Sequence, residues 1–366
     1  MISKKSSVLI FLFSISLFCT GQRTEIIKPF YIYAGRTELF EGEKVLLIGS
    51  ASSVSFNFKG EFCEISLKSV DSGLGHNYVV LELDGKNIGR LLIEKGETKF
   101  YPILVTKTRK VHHLTIYKAT EAGSGDVLYS GTTASIVSIK TKKRKKIEFI
   151  GNSITCGAQS DYSQVPCNNG EYMDHHNAYL AYGPVLSRSL KINFLLSSVS
   201  GIGMYRNWND EYMNEAIMPE VYENLHLNKD NSKPYDFTFQ PDIVSICLGT
   251  NDLSEGDHVK SRLPFDEDKF ISNYIKFIKM IYMHYPKTKI VLLNSPMVSG
   301  VKNITFVRCL KRIIQSFDGD KTHKAIALFE FKPMTPHGCG GHPDINDHKL
   351  MAHQMKSFFK KIINKN

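Results

Sequence analysis

Ile147-Glu148-Phe149-Ile150-Gly151-Asn152-Ser153-Ile154-Thr155-Cys156-Gly157 is a short apolar, β-prone run that stops in Gly-Asn-Ser, with a second glycine four residues beyond the serine. It reads as a buried strand that presents a hydroxyl at its C-terminal edge, where open α/β sheets gather their chemistry. A Gly-x-Ser alone says little. Here two later stretches share its setting. Gly249-Thr250-Asn251-Asp252 follows another apolar run, and Gly341-His342-Pro343 stands just ahead of a terminal helical pattern. Together they supply a nucleophile, an amide donor and a base.

Working outward, apolar runs at 147–150, 192–196, 243–248, 290–293 and 325–331 alternate with helical periodicity. The helices are clearest at 266–285, where Phe270, Tyr274, Phe277, Ile278 and Ile281 share a face, and at 345–362, with Leu350, Met351, Met355, Phe358 and Phe359. This alternation predicts a three-layer α/β/α domain over 147–366 around a parallel five-stranded sheet. Upstream the period changes to two. Ser53-Val54-Ser55-Phe56-Asn57-Phe58 alternates; the run at 78–83 meets Asp84-Gly85, a hairpin-turn pair; 113–117 and 134–139 read as further strands. An all-β sandwich over 23–140 follows, joined through a basic linker at 141–146.

The first residues have another layout. Lys4 and Lys5 precede the apolar stretch 8–18, and Cys19-Thr20-Gly21 follows, which is the pattern of a secretory signal peptide over 1–21 cleaved after Gly21. A lipid-bearing Cys19 is the competing reading. Either way the protein is expected to be exported, to the periplasm or beyond, with no membrane span. The 366 residues carry 46 Lys and Arg against 36 Asp and Glu, a net charge of +10. Part of that excess is Lys142-Lys143-Arg144-Lys145-Lys146, which reads as a solvated linker; no RNA-binding aromatic motif or recognition helix accompanies it, so a nucleic-acid partner is not expected. Six cysteines lie beyond the leader, Cys63, Cys156, Cys167, Cys247, Cys309 and Cys339. Their spacing matches no zinc site and does not reveal their pairing.

Each candidate residue has a plainer reading beside the chemical one. Ser153 suits a nucleophile and equally an N-cap. Asn251 suits an oxyanion donor and equally an Asx turn. Gly201, in Ser200-Gly201-Ile202-Gly203, lets backbone approach a substrate or simply makes a tight turn. His342 sits on a loop returning to the sheet edge, a placement that His112, His113, His175, His176, His348 and His353 lack. Asp174-His175-His176 invites a metal reading, but adjacent residues rarely converge on one ion and no third ligand is evident. The segment 158–176, tipped by Tyr162 and Tyr172, reads as a polar loop beside the cleft. Trp208, the single tryptophan, is either a core indole or a platform for a sugar ring.

These blocks jointly resemble the SGNH (GDSL-type) hydrolase superfamily, at Ser153, Gly201, Asn251 and His342. The stretches 147–157, Ser200-Gly201-Ile202-Gly203-Met204, Met218-Pro219 and 248–252 are similar to carbohydrate esterase family 2. So are Gly35-Arg36, Phe56-Asn57-Phe58-Lys59-Gly60 and 113–121 upstream, so the similarity spans about residues 30 to 360. It implies an N-terminal jelly roll ahead of the hydrolase domain. It also implies removal of O-acetyl groups from plant-type glycans of the xylan or mannan kind, at primary 6-hydroxyls, without metal or other cofactor. Ser153 would attack, His342 would act as base, and the N–H groups of Ser153 and Gly201 with the Asn251 amide would hold the oxyanion.

The sequence departs from the superfamily at two points. The usual aspartate two or three residues before the base is replaced by Gly340 and Cys339, so a Ser–His dyad steadied by a backbone carbonyl is expected, with Asp344 as the fallback carboxylate. Asn152 stands where an aspartate usually precedes the nucleophile; it is expected to support the turn and, with Trp208, to line the substrate site. Two other functions compete: a non-catalytic carbohydrate-binding protein with a decayed hydrolase domain, and an SGNH lipase or thioesterase. The polar loop at 158–176 argues against the wide apolar cleft that the latter needs.

Overall fold

The computed structural model describes residues 30–42, 44–70, 73, 75–105, 110–210, 214–230 and 233–365; the leader at 1–21, with Cys19, lies outside the described residues. The N-terminal strands are β1 (Tyr31–Ala34), β2 (Thr37–Phe40), β3 (Lys44–Leu47), β4 (Ser53–Lys59), β5 (Phe62–Val70), β6 (His76–Leu83), β7 (Lys86–Glu94), β8 (Lys99–Leu104), β9 (His112–Lys118), β10 (Asp126–Thr132) and β11 (Ser135–Val137). They form two antiparallel sheets, one ordered β1-β4-β9-β6-β7 with β11 on β4, the other β2-β3-β10-β5-β8. Period-two alternation explains the packing: Val54, Phe56 and Phe58, Ile65 and Leu67, Val79 and Leu81, Leu114 and Ile116, and Val127 and Tyr129 meet in one core. Asp84-Gly85 makes the two-residue turn between β6 and β7, with Leu83 opposite Lys86.

The second half is built on β12 (Lys146–Gly151), β13 (Asn193–Ser198), β14 (Ile243–Cys247), β15 (Lys289–Leu293) and β16 (Ala327–Phe329), all parallel and ordered β13-β12-β14-β15-β16. Helices α1 (Ser153–Cys156), α2 (Tyr182–Leu190), α3 (Met218–Val221), α4 (Glu267–His284), α5 (Gly300–Gln315) and α6 (Ile345–Lys365) complete it. Alternate strand residues serve opposite layers. Ile150, Val244, Ile246, Ile290 and Leu292 pack with α4 and α5, while Phe149, Val291 and Leu293 pack with α2 and α6. The chain runs from β12 outward to β13, then crosses to β14 on the other side. That reversal opens a crevice at the C-terminal ends of β12, β13 and β14, where ligands bind in open α/β sheets.

One buried polar network crosses from the sandwich to this sheet. Arg36, just beyond β1, is fully buried and donates to Ser197 Oγ at 3.3 and 3.2 Å, Asn224 O at 2.7 Å and Tyr222 O at 3.0 Å. Its guanidinium lies 4.1 Å from the centroid of the Tyr235 ring. Ser197 Oγ and Tyr222 Oη in turn donate to Glu148 at 2.6 and 3.0 Å, in the middle of β12. Burial raises the Glu148 pKa, while these donors and the Arg36 charge oppose the rise. Replacing Arg36 with Met leaves a buried carboxylate without its cation and should cost about 3–5 kcal/mol, read as a lower urea midpoint at unchanged m-value.

Candidate active site

The turn that carries Ser153 is set by close packing. A Cβ on Gly151 would lie 2.0 Å from Thr155 Oγ1 and 3.2 Å from Cys247 O, so only glycine lets β12 turn directly into α1. Asn152 adopts extended backbone and its side chain accepts from Ile154 N at 3.1 Å, capping α1. Ser153 is thus the first helical residue, with an N–H that has no intrahelical acceptor and a side chain at the crevice.

His342 follows a tight turn. Gly338 N donates to His342 O at 2.7 Å and His342 N to Cys339 O at 3.1 Å, around Gly340 in the left-handed region (φ 55°, ψ 29°). Cys339 N bonds Gln159 O at 2.9 Å, and Cys339 forms a disulfide with Cys167. The turn is therefore tied to the segment that directly follows the nucleophile helix. It places His342 Nε2 3.0 Å from Ser153 Oγ and Nδ1 3.2 Å from Gly340 O. A carbonyl can only accept, so Nδ1 carries the hydrogen and the Nε2 lone pair faces the hydroxyl. Burial lowers the His342 pKa, and the Gly340 carbonyl works against that. Asp344 does not reach the ring: it accepts from Asn346 N and Asp347 N, both at 2.8 Å, at the start of α6.

Gly201 and Asn251 stand at the neighbouring strand ends. Asn251 Nδ2 donates to Ile202 O at 2.7 Å, which leaves the amide a second N–H and latches it to the Gly201 loop. Asp252, the next residue, is fully buried and accepts from Met204 N at 3.0 Å, Tyr205 N at 2.8 Å and Arg206 N at 3.2 Å. Trp208 N donates to Gly201 O at 2.8 Å, so the indole is carried beside the same loop. At 47% exposure it is a surface ring, and the core reading of Trp208 is set aside. Tyr172, 45% exposed, reaches Ser200 Oγ at 3.3 Å and has its ring centroid 6.4 Å from that of His342.

Some contributors have no sequence signature. Arg90 on β7 donates to Asp174 O at 2.7 Å and Gln164 Oε1 at 3.3 Å, pinning the 158–176 loop against the sandwich. Asp174, His175 and His176 diverge: Asp174 meets His76 at 2.5 Å and Tyr78 at 3.0 Å, His175 Nε2 meets Pro166 O at 3.2 Å, and His176 Nδ1 meets Tyr172 O at 3.0 Å. His176 Nε2 also lies 3.3 Å from Glu121, a buried carboxylate of the sandwich.

Comparison with known proteins is consistent with this architecture. Residues 33–137 match the family described as carbohydrate esterase 2 N-terminal, and residues 149–322 match the GDSL-like lipase/acylhydrolase family. Together the two matches make the chain similar to carbohydrate esterase family 2 in both of its halves. An acetylxylan esterase / glucomannan deacetylase of Cellvibrio japonicus is 26% identical over 287 residues, 74% of this chain and 76% of its own. The cellulase/esterase CelE of Acetivibrio thermocellus is 26% identical over 91% of this chain, which spans only 39% of that longer protein. A family two carbohydrate esterase from Clostridium thermocellum, solved with cellohexaose, superposes with a TM-score of 0.79 at 24% identity, over 91% of this chain and 99% of that one. One from Cellvibrio japonicus gives 0.79 at 20% identity, over 92% and 96%. At these identities the two structures establish the shared fold.

Two measurements probe the expected role of His342. Asp344→Ala should remove a helix cap worth about 1 kcal/mol and lower Tm, while kcat stays within about twofold. His342 must be neutral to accept a proton, and its pKa lies below the ordinary 6.5. The acid limb of kcat/KM should therefore have its midpoint below that value, because the neutral ring persists to lower pH; a midpoint above it would contradict the assignment.

Proposed function

We propose that this chain is an exported serine esterase that removes O-acetyl groups from plant polysaccharides of the xylan or mannan type, acting in mannans at the primary 6-hydroxyl, which xylose units lack. The observation that carries the reading is the 3.0 Å contact between His342 Nε2 and Ser153 Oγ, with Nδ1 held by the Gly340 carbonyl. A decayed hydrolase retained for binding would have no need to keep nucleophile and base in bonding geometry.

The chemistry is acyl transfer. His342 Nε2 takes the Ser153 proton as Oγ attacks the ester carbonyl. The oxyanion meets the Ser153 and Gly201 N–H groups and the free N–H of the Asn251 amide. Collapse expels the sugar oxygen, which takes the proton from His342. Water, deprotonated by the same ring, then releases acetate and frees Ser153. Exposed Tyr172 beside His342 and exposed Trp208 beside the Gly201 loop offer apolar faces to pyranose rings. A 6-O-acetyl group projects from the glycan backbone on its own methylene, which lets it reach Ser153, only 7% exposed, from the glycan chain outside.

Acetate release from acetylated glucomannan, acetylated xylan and 4-nitrophenyl acetate tests the reading. Ser153→Ala and His342→Ala should each lower kcat by several orders of magnitude, since the pair acts as a unit. Asn251→Ala should cost about 100- to 1000-fold. Release that persists in Ser153→Ala would overturn the mechanism, and no release from any of the three substrates would favour a binding protein.

A further inference from the structure

Glu121 leaves the sandwich just after β9 and is buried where the two halves of the chain meet. Its position is fixed through the main chain. Lys118 Nζ, fully buried, donates to Glu121 O at 2.6 Å, and Ala178 N donates to Ala119 O at 2.9 Å. The carboxylate then touches three segments that build the site. Oε2 accepts from Ser200 N at 2.6 Å, on the Gly201 loop, and from the Cys156 thiol at 3.3 Å, at the end of the nucleophile helix. Oε1 faces His176 Nε2 at 3.3 Å, in the loop that carries Tyr172. Burial pushes the Glu121 pKa up, but the His176 contact and the Ser200 N–H outweigh it and bring the value to about 2. The group is an anion under all working conditions.

The consequence concerns a single peptide unit. The N–H of Ser200 is held by Glu121, and the carbonyl of Gly201 is held by Trp208 N at 2.8 Å. These bonds immobilise the peptide planes on either side of the Ser200–Gly201 unit. The next carbonyl, that of Ile202, is held by Asn251. Gly201, at φ 75°, has no side chain to restrict its rotation, so the direction of its N–H depends on these flanking anchors. We propose that Glu121, supplied by the sandwich, is the positioning residue of the oxyanion hole, aiming the Gly201 N–H at the substrate. The assignment rests on the reading of Gly201 as an oxyanion donor. It makes the sandwich part of the catalytic apparatus and explains why a lone hydrolase half would be deficient. Glutamine replaces the anionic acceptor with a neutral one, which weakens the hold on the Ser200 N–H and the Cys156 thiol.

The test compares the full chain with its Glu121→Gln variant, using Asp126→Asn as control. Asp126 is another buried carboxylate at the junction, bonded to His226 at 3.3 Å and touching none of the three segments. Glu121→Gln should lower kcat on 4-nitrophenyl acetate by about 10- to 100-fold, less than deleting a donor outright, with KM within about twofold. Amide hydrogen exchange at 199–203 should quicken by at least about tenfold while α4 is unchanged. Asp126→Asn should lower Tm yet keep kcat and the exchange of that segment. Unchanged exchange at 199–203 in Glu121→Gln, or an equal kcat loss in Asp126→Asn, would overturn the proposal. A parent enzyme without Ser153-dependent acetate release is a failure of the underlying reading instead, and the exchange comparison then still decides whether Glu121 holds the loop.

Discussion

The proton on Nδ1 of His342 is the constraint from which the site is organised. Nε2 can accept from Ser153 only while Nδ1 donates, and the acceptor is the carbonyl of Gly340, two residues back in the same turn. A carbonyl fixes the tautomer as well as a carboxylate does, but it brings no negative charge to the imidazolium that the proposed proton transfer would form. The cost of that exchange is geometric: the ring is oriented only if the turn itself is rigid. Left-handed Gly340, the bonds from Gly338 to His342 and from Cys339 to Gln159, and the link to Cys167 are all parts of that rigidity.

The sandwich enters this scheme as a load on the other side of the crevice. Arg36 neutralises a carboxylate buried in the central strand, Arg90 holds the loop that carries Tyr172, and Glu121 anchors the residue before Gly201. Each is a charged group removed from water and hydrogen-bonded across the junction. Such contacts are poor sources of net stability, yet breaking any one strands its partner. The two halves therefore behave as one unit at the site, even though each has its own hydrophobic core.

What the sequence discloses follows from whether a residue's role leaves a local pattern. The strands of the parallel sheet are buried on both faces, so they stand out as apolar runs, and β14, expected at 243–248, spans Ile243–Cys247. Helix α5 is harder to see: Phe306, Leu310 and Ile313 are interleaved with Arg308, Lys311 and Arg312, and its first five residues include Gly300, Val301 and Ile304, poor helix formers. Ser153, Asn251 and His342 are visible because each sits in a glycine-marked turn at a strand or helix end. Glu121 is not, because a single glutamate after a strand resembles any surface glutamate until the fold turns it inward. The Cys167–Cys339 link is equally hidden, since nothing in the spacing of six cysteines favours one pair over another. Trp208 was readable only as a choice between core and surface, which its half-exposed position decides.

The disulfide also orders events in the life of the chain. Its cysteines are 172 residues apart, so the bond can close only after nearly all of the α/β half has been made. It forms and lasts where thiols are oxidised; in a reducing compartment both cysteines remain thiols and the His342 turn rests on its backbone bonds alone. The covalent strut behind the His342 turn is thus set by the surroundings rather than by the sequence. A newly made chain carries Ser153, Asn251 and His342 before the frame around them is locked.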